Sequence, residues 1–378
     1  MNIILKPFVL TLPLAFLVAC GGQPVSEAPP TAEAALPVTR MPENVVMQAQ
    51  GSFLVYATNE DSNNVSVIDG DYHNVLATIE IGKRPRGLKV SPDGSRLYVA
   101  VSGAPKCPPT MEDEECEALE VDLTADGIAE VDTASREVLR VLPSGIDPEQ
   151  FDVNWETGLM YIANENANQA TVINIASGEV IAELPTGLEP EGVRIAPDGS
   201  VVYVTGEVQS DITVIDTATN TVAGTIAVGI RPRDIVFSDD SSRAYISNEI
   251  GESISVIDVA ASTVVDTITL PAGSLPMGVV LSPDNSRLFV ATGRARTVLA
   301  VDLATNTVVD TVEVGQRPWG LTISPDGNML FSANGPSDDV TVIDVNDFTV
   351  IETIAVGETP WGVWPGQRSR SSRSLASW

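Results

Sequence analysis

Histidine is nearly absent from this chain. The 378 residues hold one, His73, so a Ser–His–Asp set is possible only if His73 itself serves in it. Basic residues are also scarce: 21 Lys and Arg stand against 51 Asp and Glu, a formal net charge of −30. Such a balance argues against nucleic acid as a partner and against electrostatic adhesion to anionic lipid. Of the three cysteines, Cys107 and Cys116 are nine residues apart without ligating companions, and the one histidine reads as part of a turn elsewhere, so a zinc site is disfavoured. No metal site is expected. No apolar run is long enough for a membrane span, and no strand-like run shows a helical period.

What the chain has instead is a repeat. Gly-x-x-Pro occurs at Gly82, Gly145, Gly187, Gly229, Gly273, Gly315 and Gly357, with successive spacings of 63, 42, 42, 44, 42 and 42 residues. A fixed period in this range marks a repeat architecture. One unit carries an insertion of 21 residues and another an insertion of two. Each unit holds four short runs rich in Val, Ile, Thr and Tyr, bounded by Gly, Pro, Asp or Asn, which read as strands and turns. Ser91-Pro-Asp-Gly and Ser324-Pro-Asp-Gly, with variants at Ala196 and Ser282, supply a proline and then a Gly or Asn where φ turns positive. The third run carries Val-Ile-Asp at Val67, Val214, Val256 and Val342. Four strands in about 42 residues make one blade, and the fold class is an all-β, seven-bladed β-propeller of four-stranded antiparallel blades. The repeats begin at Phe53 with a second strand and end at Pro360-Trp-Gly-Val-Trp364 with a first strand. Pairing these two segments would close the ring and leave no open edge.

The wording of the repeats, Tyr203-Val-Thr-Gly with Tyr98-Val-Ala and Tyr161-Ile-Ala-Asn, resembles the YVTN-repeat β-propellers. Longer stretches, including RPRG from Arg84, SGIDPEQF from Ser144, SNEIGESISVIDV from Ser247 and GQRPWGL from Gly315, resemble the β-propeller proteins associated with pyrroloquinoline-quinone-dependent catabolism. The likeness covers about residues 53 to 365. It implies a periplasmic propeller found beside quinoprotein alcohol oxidation, with no established activity. The acidic insertion after Gly103 and a short loop before Pro276 depart from that pattern. Heme d1 propellers need axial histidine or comparable ligands, and quinoprotein dehydrogenases carry a different tryptophan repeat on eight blades, so no cofactor is expected.

Residues 1–20 read as a secretory signal, with Lys6 before an apolar run from Phe8 to Ala19. Leu17-Val-Ala-Cys20 resembles the bacterial lipobox, in which Cys20 would be lipidated; an ordinary signal with a chance cysteine is the alternative. Gly21 after Cys20 favours sorting to the outer membrane, and several acyl chains would give a stable membrane anchor. Residues 21–50, rich in Pro, Ala and Glu, read as a flexible tether, 51–366 as the propeller, 103–124 as an acidic insertion and 367–378 as a disordered tail. In an oxidising compartment Cys107 and Cys116 are expected to form a disulfide. The run Glu112–Glu115 is either a solvated face or a calcium-binding stretch without the turn of a dedicated loop.

In a propeller the loops entering the first strands, and those between second and third strands, gather at one mouth of the channel. The second variable residue and the residue after proline in each Gly-x-x-Pro give Arg84/Arg86, Asp147/Glu149, Glu189/Glu191, Arg231/Arg233, Leu275/Met277, Arg317/Trp319 and Thr359/Trp361. Arginines may pair with the acids of neighbouring blades and knit the ring, Arg84 and Arg86 with Asp147 and Glu149, Arg231 and Arg233 with Glu189 and Glu191. Alternatively, the acid-free run Arg317, Trp319, Trp361, Arg84 and Arg86 would take a flat, anionic ligand. Trp364 reads as a core plug. Asn59-Glu60, Asn164-Glu165, Glu207, Asn248-Glu249 and Asn334 form a second ring of candidates, with the asparagines also readable as left-handed strand ends. The functional expectation is a monomeric, non-catalytic lipoprotein that binds a periplasmic protein or small anion through Arg84, Arg86, Glu149, Glu191, Arg231, Arg233, Arg317, Trp319 and Trp361. The alternative is a lactonase-like hydrolase using Glu, Arg and Asn at the same mouth.

Overall fold

The computed structural model describes residues 51–106 and 119–368. The signal segment with Cys20, the tether, Cys107, Cys116, the acidic run from Glu112 and the tail from residue 369 lie outside the described residues. Gln367, assigned above to the tail, belongs to the last strand, where it pairs with Phe53.

Twenty-eight strands form seven four-stranded antiparallel sheets. The unit from Gly187 shows the pattern: strands Pro190–Ile195, Val201–Gly206, Asp211–Asp216 and Thr221–Ala227 follow one another across one sheet. The Ser-Pro-Asp-Gly turns place Gly94, Gly199, Gly327 and Asn285 at positive φ. The aspartate ending the third strand caps the next turn, as Asp302 does by accepting the amides of Ala304 and Thr305. First strands of neighbouring blades touch all the way around, so the sheets are arranged radially about a central channel. The last blade is composite. Strand Phe53–Asn59 pairs with strand Pro360–Gln367, with Tyr56 opposite Trp364 and Ala57 opposite Val363. Apolar clusters fill the spaces between blades, and Phe53, Val55, Ala57, Phe331, Val340 and Val342 weld the composite blade to its neighbour.

The recurring glycine has a packing cause. A Cβ on Gly315 would lie 2.6 Å from the Asn334 side chain, and one on Gly357 would lie 2.7 Å from Asn59. Both asparagines end second strands, are fully buried and donate to third-strand hydroxyls, Asn59 to Ser66 and Asn334 to Thr341. These asparagines are extended strand residues and do not have left-handed backbone, which corrects the conformational reading given above. In six blades the pairing between first and second strands slips just after the proline, as at Pro318/Leu321 and Pro190/Val193. A bulge there turns the residue after proline into the channel.

Candidate functional site

The second variable residue of every Gly-x-x-Pro has positive φ, from 41° at Arg84 to 60° at Arg231, although none is glycine. Left-handed backbone costs a residue with a Cβ roughly 1–2 kcal/mol, and a β-branched residue such as Thr359 pays most in strain. The return is a fixed loop pair. The carbonyls of Asp147, Glu189, Arg231, Leu275, Arg317 and Thr359 each accept the amide of the residue that follows the second strand of the same or adjoining sheet segment, Glu165, Glu207, Glu249, Gly293, Gly335 and Glu60. The two rings of candidates are thereby locked together at one mouth.

That mouth holds a cavity of about 860 Å³. All nine residues named above as ligand candidates line it, joined by Glu60, Lys106, Asp147, Glu165, Glu207 and Thr359. Two buried guanidiniums organise one side. Arg86 donates to Asp147 and Glu149, and Glu165 lies 3.5 Å from it. Arg233 donates to Glu191 and Glu207 and, at 2.7 Å, to Glu249. Around them Arg84 pairs with Glu60 at 3.0 Å, and Arg231 with Glu207 at 2.8 Å. The blade-to-blade pairing expected for Arg86 and Arg233 is therefore present. Arg84 and Arg231 instead take the glutamates that follow second strands, and Glu189 has no ion pair among the described residues. Because Arg84 and Arg86 are both engaged, the acid-free sector shrinks to Arg317, Trp319 and Trp361.

Ionisation differs sharply between these carboxyls. Burial, and then the charge of and hydrogen bond with Glu191, push Glu207 up to about 10. Burial would also raise Glu191, but Arg233 beside it holds its carboxyl below the usual range. Burial raises Glu165 to about 7, against the pull of Arg86 and with Asp147 adding to the rise. Burial would raise Asp147 too; Arg86 and the Ser102 hydroxyl, which donates at 2.5 Å, keep it low. Carboxylate oxygens of Asp147, Glu149 and Glu165 come within 4.8 Å of one another, the spacing of a cation site, but the Arg86 guanidinium already supplies the positive charge there.

Next to Arg233, whose guanidinium lies 5.6 Å from the Trp319 ring centroid, Trp319 and Trp361 stand with ring centroids 5.6 Å apart and planes inclined by 32°. Arg317 lies 4.5 Å over the Trp319 ring. Deeper in the channel, residues four after the proline form a layer of Lys89, Asp152 and Arg194, which sequence reasoning leaves unassigned, with Trp364, read above as a core plug. Lys89 sits 3.3 Å from Asp152 and 3.6 Å from the Trp364 ring centroid, and burial, with Arg194 near, lowers its amine to about 8. Trp364 also packs on the core of the composite blade. The repeat register was the signal for this layer, since the same offset falls on a charged or aromatic residue in four units.

Fold and site together define a seven-bladed β-propeller with a charged, carboxylate-rich channel mouth. The family model described as Lactonase, 7-bladed beta-propeller, matches residues 218–351. No curated protein matches the chain. Among solved structures, a putative 6-phosphogluconolactonase from Bacteroides fragilis is similar with a TM-score of 0.68 and 19% identity, over 83% of this chain and 98% of that one. A functionally unknown protein from Desulfotomaculum acetoxidans gives a TM-score of 0.69 at 15% identity, over 83% and 99% of the two chains. Hydrazine synthase from Kuenenia stuttgartiensis gives a TM-score of 0.62 at 20% identity, over 74% and 88%. At these identities the likeness is one of fold.

Proposed function

We propose that the protein is a lactonase-like hydrolase that opens a cyclic ester at the channel mouth. The observation that carries this reading is the divergence of the mouth carboxyls, Glu165 poised near neutrality beside Arg86 while Glu207 stays protonated and Glu191 ionised. Environments that push neighbouring carboxyls apart in this way assign acid and base roles. Ionised Glu165 takes a proton from a water molecule as the water oxygen attacks the lactone carbonyl. Arg84 and Arg86 provide the positive field for the resulting oxyanion. When the acyl C–O bond of the ring breaks, the departing ring oxygen recovers the proton from Glu165, and a hydroxy acid leaves. The match to the lactonase family model supports the reading over the blades that carry Arg233, Glu249, Arg317 and Trp319. The lipobox-like Cys20 would place the reaction in the periplasm on a lipid anchor, and the non-catalytic binding expected from the sequence alone has no observation of this kind behind it.

The test is hydrolysis of a panel of γ- and δ-lactones by the purified protein, followed by acid release. Turnover is expected, with Glu165→Gln reducing kcat by roughly 10²–10⁴, the usual worth of a general base. The rate should rise through about pH 7 as Glu165 ionises. Absence of turnover across the panel, or a Glu165→Gln variant as fast as the parent, overturns the reading.

A further inference from the structure

Four of the arginines that ring the mouth, Arg84, Arg86, Arg231 and Arg233, have at least one carboxylate within 4.0 Å. Arg317 has none among the described residues, nor does its guanidinium donate a hydrogen bond to any of them. It is exposed, lines the cavity and lies 4.5 Å over the Trp319 ring, with Trp361 beyond. The matching positions of the two adjoining blades supply no anion. Blade residues Leu275 and Met277 on one side and Thr359 and Trp361 on the other replace the charged pairs found elsewhere in the ring. Burial is the largest cause that lowers the affinity of Arg317 for its proton; the charge of Glu249 opposes it, and Arg233 and Arg294 add to it. An arginine that rests on an indole and holds no ion pair among the described residues keeps its hydrogen-bonding fork open to an incoming anion. The two indoles add a flat apolar wall, 5.6 Å between centroids and too inclined to stack fully on each other, so a planar group can lie against them.

We infer that this sector is a subsite for a planar, negatively charged group, an aromatic or conjugated carboxylate, with its ring on Trp319 and Trp361 and its carboxylate on Arg317. As a statement about substrate it rests on the hydrolase reading: the lactone is one that carries such a group, whose docking leaves the ester directed to the Glu165 side of the same cavity. The binding part stands on the geometry of the sector alone.

Benzoate is the probe, titrated by calorimetry and by quenching of tryptophan fluorescence against the full chain, with cyclohexanecarboxylate testing flatness and benzamide testing charge. Benzoate is expected to bind, cyclohexanecarboxylate several-fold more weakly, and benzamide at least tenfold more weakly. Arg317→Gln should weaken benzoate at least tenfold. If Trp319→Ala fails to fold, Trp319→Phe keeps the wall and should retain most of the binding. In the turnover arm, a dihydrocoumarin bearing a ring carboxylate should have at least tenfold higher kcat/KM than dihydrocoumarin itself, with the advantage lost in Arg317→Gln. No benzoate binding by the parent, or equal binding by Arg317→Gln, overturns the inference. Benzoate binding without lactone turnover overturns only the hydrolase reading and leaves the subsite standing.

Discussion

The two sides of the channel mouth are built from the same position of the same repeat and differ in how their charges are satisfied. On one side the guanidiniums of Arg86 and Arg233 are buried and each holds two or more carboxylates. On the side of Arg317 the cation is exposed and rests on aromatic rings. Buried ion pairs are expensive to desolvate and costly to break, so the first side is both scaffold and chemistry. On the second side Arg317 and the half-buried Trp319 contribute less to the ring and are free to answer to a ligand. A repeat that keeps its glycine and proline while varying two residues can therefore assign different work to each blade without changing its fold.

Breaking the first side should have the largest effect. Arg86→Met would leave Asp147 and Glu149 buried beside Glu165 without their cation, and a loss of about 3–5 kcal/mol is expected from removing one partner of a buried pair. Urea unfolding measures it. A loss below about 1 kcal/mol would mean that the carboxylates rearrange toward water and that the side is not the rigid one.

The shared proton of Glu191 and Glu207 gives the next effect, and its sign can be stated. Glu207 keeps its proton to about pH 10 in the folded chain, against an ordinary 4.5. Above 4.5 the unfolded chain has lost a proton that the folded chain retains, so this group makes the protein progressively less stable as pH rises, by roughly 1.4 kcal/mol per pH unit for one whole proton. Glu191, shifted the other way, acts below 4.5 and does not overlap that window. Glu207→Gln cannot titrate, so the gap between variant and parent stabilities should widen in the variant's favour between pH 5 and 8. Parallel stability curves over that range would show that the pair does not share a proton.

A smaller effect separates the two indoles. Trp361 is 7% exposed and Trp319 is half-buried. Truncation of a buried Trp costs about 3–5 kcal/mol, so Trp361→Ala should approach the lower end of that range, and Trp319→Ala should cost markedly less. The thermal midpoints of the two variants decide it. Equal losses would make both rings core plugs.

Much of this architecture is legible in the sequence, because a repeat displays each structural need seven times. The strand pattern, the turn at Ser91-Pro-Asp-Gly and the closure by Phe53 and Trp364 follow from periodicity and turn chemistry alone. The partners within the mouth do not. Gly-x-x-Pro says which residues face the channel, but Arg84 reaches Glu60 and leaves Asp147 to Arg86 because the left-handed backbone at Arg84, which Arg86 does not share, aims the two side chains in different directions. Nothing in the spacing encodes that. The ionisation of Glu165 and Glu207 was equally hidden, since it depends on how deeply neighbouring loops bury each carboxyl, and Lys89 was passed over because its layer lies below the residues that carry the repeat's wording.

The smallest effect on stability is the sharpest test of the contrast. Arg317→Gln removes a cation that has no ion pair among the described residues and is exposed to the cavity, so no buried charge is left uncompensated by its loss. Its stacking on Trp319 is the one contact forfeited, and at an exposed site such a contact contributes about 0.5–1 kcal/mol. Loss of the attraction of Glu249 adds to that, and relief of the like-charge crowding with Arg233 and Arg294 offsets part of it. The expected change is within about 0.5 kcal/mol, as for an ordinary surface substitution. In concentrated salt, which screens these charge effects but not the buried pairs across the mouth, the change should approach the stacking contribution alone. Urea midpoints at low and high salt for Arg317→Gln and Arg86→Met together make the comparison. If Arg317→Gln destabilises by several kcal/mol, its guanidinium is structural like the others, and the two sides of the mouth are one scaffold.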